Sequence, residues 1–185
     1  MNKKTSLIIL AVVAVALLYG LSTYNSLVTK REAVDGQWAQ VKTQYQRRFD
    51  LIPNLVESVK GVMKQEQTVF TALADARTHY SGAQTINDKA VAAGQVENAL
   101  GRLLAVVENY PQLKSSENVQ TLMAQLEGTE NRVSVERKRF NDMVQAFNLS
   151  TKRFPGSIVA KFFGFTDRAY FEAAQGAENT PAVHF

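Results

Sequence analysis

The chain has 185 residues, which suits one ordinary domain in addition to an N-terminal anchor. It contains no cysteine, which excludes disulfides, thiolate metal sites and cysteine nucleophiles. The formal net charge is +4, but the basic residues are spread along the sequence instead of being concentrated on one stripe, so nucleic-acid binding is not expected.

The N-terminal segment is predicted to cross a membrane. An apolar run extends from Leu7 to Tyr19, inside an uncharged stretch from Thr5 to Thr29. A spanning helix needs about 20 mostly apolar residues, and this segment provides them. We therefore assign residues 1–5 to a short basic tail and residues 6–25 to a transmembrane anchor.

The anchor leaves two questions open. Lys3 and Lys4, followed by small residues at 14–16, also resemble a cleaved signal peptide, although the apolar run continues beyond that point. Lys30 and Arg31 on the far side nearly balance the two N-terminal lysines, so charge hardly fixes the orientation. A short basic head before a large domain favours a signal anchor with the domain outside the cytoplasm, and the opposite topology stays open.

After the anchor, the sequence predicts helices only. Apolar residues recur in steps of three and four, and no stretch alternates with a period of two. Two series of mainly apolar residues, called stripes below, each follow a seven-residue repeat without interruption. They comprise Val34, Trp38, Val41, Tyr45, Arg48, Ile52, Leu55, Val59, Val62, Glu66, Val69, Leu73, Ala76 and Tyr80 in the first, and Val119, Leu122, Leu126, Thr129, Val133, Glu136, Phe140, Met143, Phe147, Ser150 and Phe154 in the second.

Such stripes indicate long helices packed at shallow angles, as in coiled coils and bundles. The predicted fold class is all-α, with an N-terminal transmembrane helix followed by an elongated antiparallel bundle of about four long helices. Residues 26–175 form this bundle, and residues 176–185 form a flexible C-terminal tail.

The first stripe continues across Pro53, which favours one helix bent at the proline. At about 1.5 Å per residue, this helix would extend some 70 Å from Val34 to Tyr80. The alternative is a new helix that is capped by Asp50 and has Pro53 in its first turn, where proline is tolerated.

The later elements follow from their boundary residues. A loop from Ser81 to Asn87 precedes a shorter helix from Asp88 to Asn109, whose apolar side includes Val91. Ser115 or Ser116 caps the next helix, which runs to Phe154. The apolar segment from Ile158 to Phe171 is expected to be a short helix folded back on the bundle. The alternative is an interfacial membrane helix with Lys161 and Arg168 on its basic side.

Several runs of residues resemble the LemA family. The longest is YQRRFDLIPNLV at 45–56, and shorter runs are YNSLV at 24–28, ENYPQLK at 108–114, TENRV at 129–133 and FGF at 163–165. The resemblance covers essentially the whole chain. It implies a bacterial membrane-anchored bundle of about four helices, and hence a single-pass protein of the plasma membrane, but it implies no reaction.

No catalytic, cofactor-binding or metal-binding residue is predicted. His79 follows Asp75 by four residues, so the two share a helix face, but two ligands do not make a metal site. Neither His79 nor His184 has a glutamate three residues earlier, as a di-iron bundle would require. Histidine is therefore not expected to act as a general base, and no cofactor or small-molecule substrate is expected.

Other polar residues have a structural interpretation. Asn141 and Asn148 border the second stripe, as do Glu130, Asn131 and Arg132, and they are expected to pair across helices and fix the register. A polar recognition surface is the alternative.

Arg47, Arg48 and Asp50 are expected to rearrange hydrogen bonds around Pro53. The residues at 137–139 are expected to be solvated. Gly94 and Gly101 are expected to line a close helix contact.

The predicted function is a membrane-anchored scaffold or interaction module. Its partners would be the lipid bilayer and other membrane proteins or copies of itself. One alternative is a lipid-binding or membrane-shaping module that uses the segment from Ile158 to Phe171. The other is an enzyme, which would require carboxylates, alone or with His79, converging in a pocket with shifted pKa values.

Overall fold

The computed structural model describes residues 3–63 and 66–171, and within these ranges the chain forms helices and no strand. The helices are α1 (Lys3–Lys60), α2 (Gln67–Gly82), α3 (Ile86–Glu108), α4 (Pro111–Lys114), α5 (Glu117–Lys152) and α6 (Gly156–Phe163). The all-α prediction, with a long apolar helix first, is confirmed. The expected tail at 176–185 lies outside the described residues.

The N-terminal part of α1 is long and apolar enough to cross a membrane. Its most apolar window has a mean hydropathy of 2.3, and no part of that window is buried against the rest of the chain. The large apolar side chains from Leu7 to Leu21 are 50–68% exposed. The first buried side chain of α1 is Leu27, and Tyr24, three residues before it, is half-buried.

Helix α1 continues through Pro53, as the unbroken stripe indicated, but its predicted extension to Tyr80 is wrong. The helix ends at Lys60, and residues 61–63 form a turn before α2. Glycine at position 61 disfavours further helix, and the amide of Met63 donates to the Val59 carbonyl oxygen at 3.0 Å. Met63 is buried, whereas Val62, which the stripe placed in the core, is 40% exposed.

The described residues divide into two compact units. Among the described residues, unit 2 comprises Gln40–Arg137 and the segment from Ala169 to Phe171. Within it, α2 packs against α3, and large buried side chains such as Tyr45, Leu55, Leu73 and Leu103 form its core.

Helix α3 begins slightly earlier than the sequence indicated. The Thr85 hydroxyl accepts a hydrogen bond from the Asp88 amide at 3.0 Å, which caps the helix so that it starts at Ile86. Val91, predicted on the apolar side, is 61% exposed, because small residues such as Ala90 and Ala93 form the buried side instead. A close contact at Gly101 was also expected, and this was wrong: a Cβ added there would meet no atom within 4 Å.

Unit 1 comprises Met1–Ala39 and Lys138–Arg168. Within this unit α1 and α5 run antiparallel, since Trp38 packs on Phe140 with ring centroids 5.4 Å apart while Lys30 hydrogen-bonds to Ser150.

Two stripe positions in unit 1 were predicted wrongly. Val144 is buried and Met143 is exposed, because a helix of 3.6 residues per turn drifts from a strict seven-residue repeat. Phe154 is 81% exposed because α5 ends at Lys152, before the stripe does.

Candidate functional site

An open groove of about 630 Å³ lies in unit 2, bordered mainly by α3 and α5. Its wall is largely apolar, and charged side chains lie among the lining residues. The lining residues are Arg48, Leu100, Leu104, Val107, Glu108, Lys114, Gln120, Met123, Ala124, Leu126, Glu127 and Glu130. A groove of this size and composition is within the range of sites that accept a ligand or one face of a helix.

One wall of the groove contains an ion pair between a buried arginine and a half-exposed glutamate. Arg48 is only 7% exposed, and its Nη1 pairs with Glu130 Oε2. Burial lowers the pKa of the Arg48 guanidinium, while the nearby Glu97 carboxylate opposes this shift. Within the described part of the chain, Arg48 Nε has no hydrogen-bond partner. The groove therefore contains a desolvated cation with a remaining N–H donor.

A second polar cluster in unit 2 surrounds Glu97. The Tyr45 hydroxyl donates to Glu97 Oε1 at 3.4 Å, and Arg137 Nη1 lies 3.6 Å from the same oxygen. The Arg137 guanidinium stacks over the Phe171 ring, 4.4 Å from its centroid. Burial raises the pKa of the Tyr45 hydroxyl, and the Glu97 charge raises it further. This cluster attaches the C-terminal segment to unit 2.

The polar residues singled out in the sequence lie in several different places. His79 is exposed, and its Nδ1 lies 3.1 Å from Gln95 Oε1. Among the described residues, no three His, Asp or Glu side chains are grouped so that they could hold a metal ion. Asp50 accepts a hydrogen bond from Gln46 at 2.7 Å, and Arg47, Asp50 and Arg132 border a second, shallower depression in unit 2.

Asn148 is buried, but it does not pair across helices as expected. Its side-chain amide donates to the Arg168 carbonyl oxygen at 2.9 Å and its Oδ1 accepts from the Arg168 amide at 2.8 Å. The Arg168 side chain in turn lies 2.9 Å from Asp35 Oδ2. Asn148 therefore holds the segment that follows α6, all within unit 1.

Sequence reasoning named Arg48 and Glu130 but did not pair them, and it missed Glu97. The available signal for the pair was that Arg48 is a charged residue within the first stripe and that Glu130 is an acidic residue beside the second. For Glu97, the signal was its place directly after buried Val96 on the apolar side of α3. A charge at such a position requires a partner, but the sequence does not reveal which one.

Comparisons with known proteins identify relatives and a family. Two magnetosome proteins of Paramagnetospirillum magneticum, MamQ 1 and MamQ 2, are each 28% identical to this chain over 189 residues, covering 88% of this chain and 69% of each relative. The magnetosome protein MamQ of Magnetospirillum gryphiswaldense is similar to the same extent. The family model described as LemA family matches residues 37–185, and the chain therefore belongs to the LemA family.

Proposed function

We propose that this protein is a membrane-anchored, non-catalytic interaction module that binds a helix of another membrane protein in the groove of unit 2. The observation that carries the proposal is the groove itself: an open, mainly apolar surface with charged residues among its lining. The candidate span in α1 and the membership of the LemA family support anchorage in a bacterial plasma membrane.

The chemistry of the groove specifies the partner. Leu104 and Met123 present the apolar surface that the nonpolar face of an amphipathic helix requires, and the flexible methionine adapts to different side chains. Glu108 and Glu127 give the lining an acidic excess over Lys114, because Arg48 is neutralised by Glu130. The expected ligand is therefore a helix with apolar residues at i, i+3 and i+4, flanked by Lys or Arg.

Photo-crosslinking in intact membranes tests this proposal. A crosslinking amino acid replaces Met123 in the groove, and a matched variant carries it at Val135, an exposed apolar position on the same helix that does not line the groove. We expect a discrete protein adduct from position 123 and none of the same mass from position 135.

A charge reversal makes the test specific. Glu127→Lys should reduce the adduct from position 123 severalfold, since it removes the electrostatic attraction for a basic helix. Absence of any protein adduct at position 123, or the same adducts from both positions, would contradict the proposal. An adduct with the mass of two copies of this chain would identify the partner as a second copy.

A further inference from the structure

Helix α6 has two chemically distinct faces. Gly156 and Ala160, four residues apart, are buried against unit 1. Ile158 and Phe162, also four apart and on the opposite side, are 62% and 82% exposed. Phe154, just before the helix, is 81% exposed, and Phe163 is 55% exposed. Such a cluster of exposed apolar side chains on a short amphipathic helix indicates a surface that another phase or molecule covers.

The packing of unit 1 places this face beside the membrane-spanning end of α1. In the antiparallel pair, Phe140 packs beside Trp38 and Ser150 beside Lys30, so each later residue of α5 lies nearer to the N-terminal end of α1. Helix α6 follows α5 in the chain and begins against the end of α5, at the Ser150 carbonyl oxygen. Its last residue, Phe163, then stacks on Tyr24, with ring centroids 4.6 Å apart.

Tyr24 marks the depth of α6 relative to the membrane. The large apolar side chains of α1 are at least half exposed up to Leu21, and the first buried side chain is Leu27, so Tyr24 lies where the span meets the rest of unit 1. Aromatic residues are enriched at this level, where the hydrocarbon meets the headgroups. Phe165 joins the cluster at 5.8 Å from Tyr24, and Arg31 lies over its ring. An aromatic belt therefore connects α6 to the end of the span.

We propose that α6 lies in the interfacial layer of the same bilayer that α1 crosses and inserts Phe154, Ile158 and Phe162 between the lipid headgroups. This forms a second membrane contact of the protein. It rests on α1 being the membrane span, which is part of the proposed function, and is otherwise independent of the groove in unit 2.

The charges around α6 fit a lipid surface. Arg153 and Lys161 are exposed beside the apolar face, where basic side chains extend toward headgroup phosphates. Two acidic groups of unit 1 are neutralised by ion pairs: Asp167, after α6, lies 2.7 Å from Lys152, and Asp35 in α1 lies 2.9 Å from Arg168. The hydrogen bond from Lys152 lowers the pKa of Asp167, so this carboxylate stays ionised and paired.

Backbone geometry holds α6 in this position. A Cβ on Gly156 would lie 2.1 Å from the Ser150 carbonyl oxygen, so the start of α6 packs directly on the end of α5. At the other end, Gly164 adopts a left-handed conformation with φ of 73°, which turns the chain away from α6. The apolar face is therefore presented by a fixed element.

Spin labels on the full chain in phospholipid vesicles test the inference. The chain contains no cysteine, so single cysteines can be introduced at Ile158 and Phe162, with Met143→Cys as a matched control at an exposed apolar position on α5 of the same unit. Val12→Cys, in the apolar stretch of α1, reports on the span itself. The measurement is the ratio of collision rates with lipid-soluble oxygen and a water-soluble nickel complex.

We expect this ratio to be severalfold higher at positions 158 and 162 than at position 143, and highest at position 12. A low ratio at 158 and 162 together with a high ratio at 12 would overturn the interfacial helix and leave the anchor intact. A low ratio at all four positions would overturn the anchor as well. Protection of 158 and 162 from both reagents, with spectral broadening that disappears on dilution with unlabelled chain, would show that a second copy covers α6 and would overturn the inference.

Discussion

At the scale of single residues, the ion pair formed by Arg48 and Glu130 in the wall of the groove contributes to the stability of the fold. Removing the acidic partner leaves a buried guanidinium whose charge is offset only by the nearby Glu97 carboxylate. We expect Glu130→Ala to lower the free energy of unfolding by about 1–3 kcal/mol, the usual cost of an unsatisfied buried group, with the partial exposure of Glu130 favouring the lower end. Urea unfolding of the full chain in detergent, followed by circular dichroism, measures this.

The matched variant replaces both members of the pair. Arg48→Met with Glu130→Ala removes the buried charge together with its partner, and apolar replacements of buried pairs are often neutral. The double variant should therefore be more stable than Glu130→Ala alone. If it is less stable, Arg48 stabilises the fold through contacts other than this ion pair.

Buried tyrosines in unit 2 predict a loss of stability at high pH. Burial raises the pKa of Tyr80 to about 12, and the pKa of Tyr45 is raised further. In the unfolded chain, tyrosine has a pKa near 10. Below pH 10 both tyrosines are protonated in the folded and the unfolded state, so they make the free energy of unfolding no more pH-dependent. Above pH 10 the unfolded chain releases protons that the folded chain retains, and each group removes at most about 1.4 kcal/mol per pH unit.

The measurement is the free energy of unfolding between pH 9 and pH 12. We expect Tyr80→Phe to flatten this dependence, since phenylalanine has no proton to lose and the Tyr80 hydroxyl has no hydrogen-bond partner among the described residues. An unchanged slope would show that Tyr80 is not protected from ionisation in the folded state.

Residue identity was a good guide to burial in the first stripe but not to partners. Tyr45, Arg48 and Leu55 are all buried at the positions that the seven-residue repeat assigned to them. The pairing of Arg48 with Glu130 depends on how two distant helices align, and a single sequence does not contain that alignment. Asn148 illustrates the same limit, because its partner is the backbone of Arg168, which carries no side-chain signal.

At the scale of elements, two glycines in helices should respond in opposite ways to the same substitution. Gly101→Ala in α3 adds a Cβ to open space and should raise the free energy of unfolding by about 0.5–1 kcal/mol, since alanine favours the helix. Gly156→Ala drives a Cβ into the Ser150 carbonyl oxygen and should lower it by about 1–3 kcal/mol. Urea midpoints of the two variants test both expectations, and equal shifts would contradict them.

The break between α1 and α2 shows why elements were only partly predictable. The stripe residues Leu73, Ala76 and Tyr80 are buried in α2, in the same register as those of α1. A periodic pattern specifies which face of a helix is buried, but it does not reveal whether two segments with the same phase are continuous. Because of the turn, Met63 occupies the core position that the stripe assigned to Val62. In the sequence, only the glycine at position 61 indicated this turn.

At the scale of the whole molecule, the proposed anchor in α1 leads to an expected topology. We expect the soluble part to lie outside the cytoplasm, because a short basic head before a large domain favours a signal anchor. A single cysteine at Ser81, an exposed position beyond the span, should then react with a membrane-impermeant maleimide in intact cells. Lys3→Cys, on the other side of the span, is the control and should react only after the membrane is opened. The reverse pattern would place the soluble part in the cytoplasm.

Unit 1 is built from two distant parts of the chain, and this affects how the protein folds during synthesis. Its internal contacts join residues that are far apart in the chain: Lys30 with Ser150, 120 residues later, and Asp35 with Arg168, 133 residues later. At about 5–20 residues per second, a ribosome needs on the order of 10 s to synthesise the missing part. During that interval the residues at 138–168, which complete unit 1, have not been made, so Leu27 and Val34 lack the part of the unit against which they pack. We therefore expect a chaperone, the insertion machinery or the lipid surface to shield this face until the last helices emerge.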